Sequence, residues 1–392
     1  MKKFTLAIVI MLVFFSALPV FAGGKKEEAV KPTETKAVEK KEPQFKIGIV
    51  FDIGGKGDKS FNDSAYNGLV LLAKNFSGYI KDDPDKVNFG DKIELKYLEP
   101  KAGGQDREQL LRVLAEDGYN LIFGVGFMFT DSIGKVAKDF PNVHFALIDG
   151  FIPDLTESSN ITCLSFAEHE GSFLVGAVAG LLTKTNKVGF IGGMDIPLIH
   201  KFQGGYLAGA IYVNPKLRTA ANLPGQYIGK DPSAFNDPKA AESIALNMYR
   251  QGADIIYHAA GGSGNGLFKA AKDLNKLAIG VDSDQGLVYA TAAQEAEKEM
   301  SKYILTSMLK RVDNSVFLTA TAFMAAGKVA GGYRAFSLAD GGVGYAVNDF
   351  NKDKLAGVTA KIDEIAKKII SGEIKVPDSD EKVTEWANAT LK

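Results

Sequence analysis

Acids, amides and aromatic rings follow four apolar runs of this chain, where side chains can converge on a ligand. Asp52 closes the first run, and Phe61 and Asn62 come after a glycine-rich turn, Gly54-Gly55-Lys56-Gly57. An acid, a ring face and an amide together suit a flat heterocycle that carries donors. The alternative makes Phe61 a core residue and Asn62 a helix cap. Asp149-Gly150 repeats the acid after another run. Tyr257 then leads into Gly261-Gly262-Ser263-Gly264-Asn265-Gly266, and Asp282-Ser283-Asp284-Gln285 closes a fourth run. Singly, each is open to reading as a tight connection or a cap. Together they fall where open α/β sheets bind ligands, at the carboxyl ends of the strands.

Catalytic chemistry finds less support. Gly262-Ser263-Gly264, with Asp282 further on, mimics a dinucleotide fingerprint, but its third glycine would fall at Leu267. No P-loop lysine follows these glycines. His144, His169, His200 and His258 lack metal-ligand spacing, and no nucleophile elbow is present. Asp282 and Asp284 are a carboxylate pair without a marked acid–base role. Cys163, the one cysteine, lies in the apolar run Ile161–Phe166 and reads as a buried, inert thiol. No cofactor, metal or catalytic residue is expected.

The elements that must position these residues alternate strand and helix. Strands are expected at Lys46–Phe51, Lys92–Leu98, Leu121–Val125 and His144–Ile148, with helices at Ser60–Phe76, Asp106–Glu116 and Ser132–Phe140. The pattern repeats with strands at Ile161–Phe166, Val188–Ile191, Asp254–Tyr257 and Leu277–Val281. Helices intervene at Glu170–Leu182, Leu198–Val213 and from Asp237-Pro238 to Gln251, and Lys354–Ile374 reads as a final amphipathic helix. Nearly continuous apolar strands imply parallel sheets covered on both faces. The expected fold class is α/β, two doubly wound parallel-sheet lobes with a hinge, changing over near Gly150–Thr156.

Five ordered blocks resemble the basic membrane protein family, which includes purine nucleoside receptors of ABC importers. They are Asp52–Asn62; Val188–Met194 with Pro197, Phe202 and Gly205; Ala259–Gly266; Gly280–Gln285; and Leu305–Asp313. The resemblance implies a type I periplasmic binding protein fold whose chain crosses between lobes three times. It places 45–150 plus about 286–328 in the first lobe, and 151–285 plus about 329–392 in the second. It implies a purine held between Phe61 and Tyr257, where a phenylalanine is usual. Asn62, Asp52 and Asp149 would meet the base edge, and Gly262, Asp282 and Lys310 the ribose. The implied ligand is a purine nucleoside (inosine, adenosine or guanosine), the implied partner an ABC permease, and the expected state a non-enzymatic monomer. A sugar binder on the same fold, an exported nucleoside-processing enzyme and an adhesin are the alternatives.

Bulk properties agree with export. Lys2-Lys3, the apolar run Phe4–Val20 and Ala22 form a signal-peptide pattern over 1–22. Residues 23–44, rich in Lys, Glu, Pro, Ala and Thr, read as a disordered spacer. Ala22-Gly23-Gly24 stands where a lipid-bearing cysteine would be and no cysteine lies before Cys163, which argues against a lipid anchor. A net charge of −1 with 46% apolar residues argues against nucleic acid as a partner. The expected location is periplasmic or cell-envelope associated.

Overall fold

The computed structural model describes residues 42–391; the expected signal peptide, and the expected spacer up to residue 41, lie outside the described residues. In chain order the strands are Phe45–Val50 (β1), Gly78–Ile80 (β2), Ile93–Leu98 (β3), Leu121–Val125 (β4), His144–Ile148 (β5), Ile161–Phe166 (β6), Val188–Met194 (β7), Gly225–Gly229 (β8), Ile255–Ala259 (β9), Leu277–Asp282 (β10), Ile304–Lys310 (β11), Gly332–Phe336 (β12) and Val343–Tyr345 (β13). They form a seven-stranded sheet, β12-β6-β5-β4-β1-β3-β2, and a six-stranded sheet, β13-β11-β10-β9-β7-β8. Apart from the antiparallel β11–β13 pair, neighbouring strands run parallel. β4, β5 and β7 are buried at every position, as parallel strands covered on both faces must be. The expected α/β class with two parallel-sheet lobes is what the chain adopts.

Strand pairing moves the lobe boundaries. Ile161–Phe166, expected in the second lobe, pairs with β5 from Phe145↔Ile161 to Ile148↔Leu164, in the first sheet. Ile304–Lys310, expected in the first lobe, pairs with β10 in the second sheet. Gly332–Phe336, expected in the second, returns to pair with β6. The reason lies in the helices that follow. Helix Glu168–Leu182 packs on helix Pro197–Val213 so closely that a Cβ on Gly176 would lie 2.1 Å from the Tyr206 carbonyl oxygen. Helix Val312–Ala326 packs equally tightly on helix Phe61–Phe76, where a Cβ on Gly68 would meet Val316 at 2.7 Å. Each crossing thus falls at a strand-to-helix junction or the turn after β12: near Ala167, near Arg311 and between Phe336 and Val343.

Most local signals hold. Asp237 accepts the Ala240 N–H, Pro238 opens the helix that runs to Arg250, and Gly252, with φ +103°, turns the chain out of it. The final helix is broken instead of continuous, into Lys352–Leu355 and Thr359–Ile370 on either side of Gly357. Cys163 is buried in the first sheet, and burial pushes its thiol above the ordinary range.

Candidate functional site

A cleft of about 690 Å³, counting space open to solvent, lies between the carboxyl edges of the two sheets. Asp52, Phe61, Asn62, Asp149, Gly262, Asp282 and Lys310 all line it. Seven of the eight expected residues therefore come to one place, six of them following strand ends and the seventh, Lys310, expected from the resemblance alone.

The first loop builds one wall. Gly54, Gly55 and Gly57 all take positive φ, which lets the chain double back after β1. Asn62 Oδ1 accepts the Asp52 N–H at 2.9 Å, and its Nδ2 donates to Asp58 Oδ2 at 3.0 Å. Asp52 Oδ1 accepts from Arg107 Nη2 at 2.7 Å and from the Ile53 N–H at 2.8 Å. Its other oxygen lies against Gly126, where a Cβ would stand 2.3 Å away. Burial raises Asp52 above the ordinary carboxylate value, and Arg107 opposes that shift. Asp58 accepts the N–H groups of Ser60, Asn62 and Asp63 and is buried. Burial, reinforced by the charge of Asp63, pushes it up to about 7.

A second cluster centres on Lys310, the last residue of β11. Its ammonium lies 2.5 Å from Asp149 Oδ2 and 3.2 Å from Glu168 Oε1. It also stands within 5.0–5.5 Å of the ring centres of Phe61, Phe166 and Phe202. Burial works against its charge, but Asp149, Glu168 and Asp282 outweigh burial and hold it cationic. Asp149 is pushed up to about 6, by burial and by Glu168, against the pull of Lys310. Asp282 is raised by burial, and its Oδ2 accepts the Ser60 hydroxyl at 2.6 Å. Asp149 and Asp282 both hold positive φ, +65° and +64°, a conformation that side-chain-bearing residues adopt rarely and that clusters at functional sites. Asp149, expected at the base edge, thus bonds directly to Lys310, expected at the ribose, so the two sets meet.

The sequence model of the Bmp family, described as ABC transporter substrate-binding protein PnrA-like, matches residues 45–380. The chain belongs to this family. It is 35% identical over 388 residues to a CD4+ T-cell-stimulating antigen of Listeria innocua, covering 96% of this chain and 99% of that one. It is 32% identical over 387 residues to the ABC transporter nucleoside-binding protein BmpA of Lactococcus lactis, with the same coverage. Among solved structures, an ABC transporter solute-binding protein from Aeropyrum pernix superposes with a TM-score of 0.71 at 26% identity, covering 88% of this chain and 98% of that one. As a substrate-binding protein of an ABC transporter, a family member takes a small-molecule ligand and works with a permease.

Tyr257 is the residue the cleft does not contain. The strand does not end there: His258 and Ala259 continue the ladder opposite Ile191 and Gly192, so the edge falls at Ala260. Tyr257 sits mid-strand with no exposed surface, its ring 5.1 Å from Tyr206 and 5.6 Å from Phe190, its hydroxyl 3.1 Å from Ser172 Oγ. It is a core residue below the cleft. The aromatic residues that line the cleft from the second lobe are Phe202 and Phe235. Phe235 follows Asp231-Pro232, where Asp231 accepts the Ser233 N–H after β8. That aspartate–proline turn was the available signal, masked because β8 is a short, partly exposed edge strand flanked by glycines. Asp58 and Glu168 also escaped notice, one inside a loop rich in candidates and the other in a helix start.

The dinucleotide mimic resolves as packing. A Cβ on Gly266 would lie 1.8 Å from the Pro238 carbonyl oxygen, and one on Gly264 would meet the His258 ring. These two glycines let helix Gly264–Asp273 approach its neighbours, and only Gly261 and Gly262 line the cleft. Among the described residues there is no cluster of His, Cys, Asp or Glu suited to a metal. Nor is any described helix long and apolar enough to cross a membrane.

Proposed function

We propose that this chain captures purine nucleosides outside the cytoplasmic membrane and presents them to its permease, without transforming them. The observation that carries this reading is the pairing of two kinds of surface in one cleft. Phe61 from the first lobe and Phe235 from the second supply ring faces for a flat base, replacing the Phe61–Tyr257 pair expected from sequence. Buried carboxylates and one ammonium surround them and suit N–H and hydroxyl groups. Asp52 and Asn62 meet the base edge; Gly262, Asp282 and Lys310 hold the ribose. A pocket built on such groups rejects a ligand that leaves them unpaired, at about 1–3 kcal/mol each. The nucleoside-binding name of the Lactococcus relative supports the same assignment. Export would follow the leader at 1–22, with Gly23 as the new N-terminus and no cysteine to take a lipid.

Calorimetry with inosine, guanosine, adenosine and the free bases tests the ligand, and incubation with inosine followed by a search for hypoxanthine tests for hydrolysis. Tight binding of nucleosides without free base released is the expected result. Adenine binding as tightly as adenosine, or released hypoxanthine, would overturn the reading.

A further inference from the structure

Arg107 belongs to neither wall of the cleft, yet it is one of few buried arginine side chains a chain would tolerate, and it is committed to a single acid. It opens helix Arg107–Glu116; its side chain is 7% exposed. Nη1 donates to the Gly104 carbonyl at 2.8 Å and Nη2 donates to Asp52 Oδ1 at 2.7 Å. Gly104, at φ +82°, leaves the room the guanidinium fills, since a Cβ there would stand 2.4 Å from it. The fork is therefore fixed at its other tine and cannot follow a wandering carboxylate. Asp52 is clamped from the opposite side by Gly126. What remains for a ligand is Asp52 Oδ2, which has no hydrogen-bond donor among the described residues and lies against Gly126, a residue that lines the cleft as Asp52 does.

We propose that Arg107 is a positioning residue that fixes Asp52 as an ionised, acceptor-only carboxylate, and so restricts the base edge to purines that present an N–H there. This rests on the nucleoside reading of the cleft. A neutral carboxyl could donate as well as accept and would admit a bare ring nitrogen; an ionised one refuses it. Without the guanidinium, a carboxyl in this buried place takes up a proton instead of standing as an unpaired charge.

The neighbouring charges are accounted for. On the first loop and helix, Asp58 and Asp63 stand behind Asn62, and Asp58 titrates near 7. On the β3 side, Glu99 is engaged with the Lys56 N–H. At the β4 junction Gly126 and Phe127 carry no charge, and Asp149, Asp282 and Lys310 form the other cluster of the cleft. Asp58 is common to wild type and variant, so its titration cancels in the ratio of their affinities.

The test compares guanosine affinity of the wild-type chain and of Arg107→Met from about pH 5.5 to 8.5 by calorimetry. Removing the cation raises Asp52 further, so the variant is protonated at low pH and recovers its acceptor as pH rises. The expected result is a variant about tenfold or more weaker at the acid end, with the gap closing toward the alkaline end. Arg107→Lys restores a cation and should restore the flat ratio with part of the affinity. A ratio that stays constant across pH means that Arg107 only supports the fold, and overturns the proposal. If Arg107→Met does not fold, Asp52→Asn takes its place as a permanently neutral analogue, and unchanged guanosine affinity in that variant likewise overturns it. A wild-type chain that binds neither guanosine nor inosine at any pH overturns the nucleoside reading itself.

Discussion

Two groups of charges line the same cleft under different rules. Asp52 has Arg107 as its ion-pair partner at 2.7 Å, and Arg107 pairs with no other carboxylate among the described residues. Asp149, Glu168 and Asp282 surround a single ammonium, that of Lys310. Burial raises Asp52, and a cation of its own, Arg107, opposes the rise. Around Lys310 three acids share one buried ammonium, and of these Glu168 also reaches Lys201 at 3.3 Å; Asp149 rises to about 6 and Asp282 is raised as well. The Lys310 group also sits where the chain crosses between lobes: Lys310 ends β11, Glu168 follows β6, and Asp149 belongs to the first lobe. The Asp52 group lies wholly within the first lobe. On the proposed reading one group recognises the ligand, and the other recognises it and joins the lobes.

The largest break in this contrast is Lys310→Met. It leaves Asp149 and Asp282 without a cation and Glu168 with Lys201 alone, at 3.3 Å, and losing one partner of a buried pair costs about 3–5 kcal/mol. Urea unfolding at neutral pH should show a loss of that order, together with the loss of nucleoside binding. Asp52→Asn, which touches a group confined to one lobe, should cost far less stability while still weakening the ligand. Equal stability losses in the two variants would erase the distinction drawn between the groups.

Aromatic substitutions come next. Phe235→Ala should weaken nucleoside binding by about 1–3 kcal/mol and leave the melting temperature nearly unchanged, as should Phe61→Ala. Tyr257→Ala should do the reverse, costing roughly 3–5 kcal/mol of stability through the cavity it leaves beside Tyr206 and Phe190. Affinity and thermal melting measured on the same preparations separate the outcomes. A Tyr257 variant that keeps its melting temperature but loses the ligand would restore Tyr257 to the site.

That reversal shows where sequence stops being informative. Asp52, Asp149 and Asp282 were legible because an acid closing an apolar run is visible without knowing the sheet. Lys310 came only through the family resemblance, since nothing in Leu305–Lys310 marks its lysine as buried. Tyr257 failed by two residues: His258 and Ala259 are as compatible with a loop as with a strand, and only pairing with β7 decides it. The lobe boundaries failed for a related reason. β6 and β11 are apolar runs that either sheet could accept, and what assigns them is contact with strands far away in sequence. Parallel pairing is non-local, whereas helix starts such as Asp237-Pro238 are decided within a few residues and were read correctly.

Acidity sharpens the contrast more gently. Asp58 binds a proton in the folded chain up to about pH 7 and in the unfolded chain only near 3.8, so its contribution to stability is lost as pH rises through about 7. Asp149 acts with the same sign up to about 6. His144 and His258, both held by burial near 4 against an unfolded 6.5, act oppositely, and their contribution is lost as pH falls through about 6.5. Asp58 should therefore add about 1 kcal/mol between pH 8 and 6.5 while the two histidines withdraw a comparable amount, so the signature lies in the difference between the wild-type chain and Asp58→Asn. Urea unfolding of both chains across that range checks it: the wild-type chain should gain on the variant by about that amount as pH falls. A difference that stays constant from pH 8 to 6.5 would contradict the assignment.

The smallest effect concerns contacts that join the lobes without touching the ligand-facing atoms of either charge group. Lys59, beside Asp58 on the first-lobe loop, reaches Glu297 of the second lobe at 2.6 Å and lies 4.3 Å from the Tyr289 ring centre. Ser283 of the second lobe donates to the Ser60 carbonyl at 2.9 Å beside it. Lys59 and Glu297 are 22% and 32% exposed, so salt screens them and the pair is worth at most about 1 kcal/mol. A ligand enclosed between the lobes gains from any contact that holds them together, and loses whatever this contact contributed when it is removed. Lys59→Ala should therefore weaken inosine, guanosine and adenosine by one common factor, about two- to fivefold at low ionic strength and less at high salt. Discrimination among the three should stay as it was, because the proposed reading gives the base edge to Asp52 and Asn62 and not to Lys59. Affinities for all three at two salt concentrations decide the matter. A change in their ratio would mean that Lys59 reaches the ligand, and an unchanged affinity at low salt would mean that the lobes close without its help.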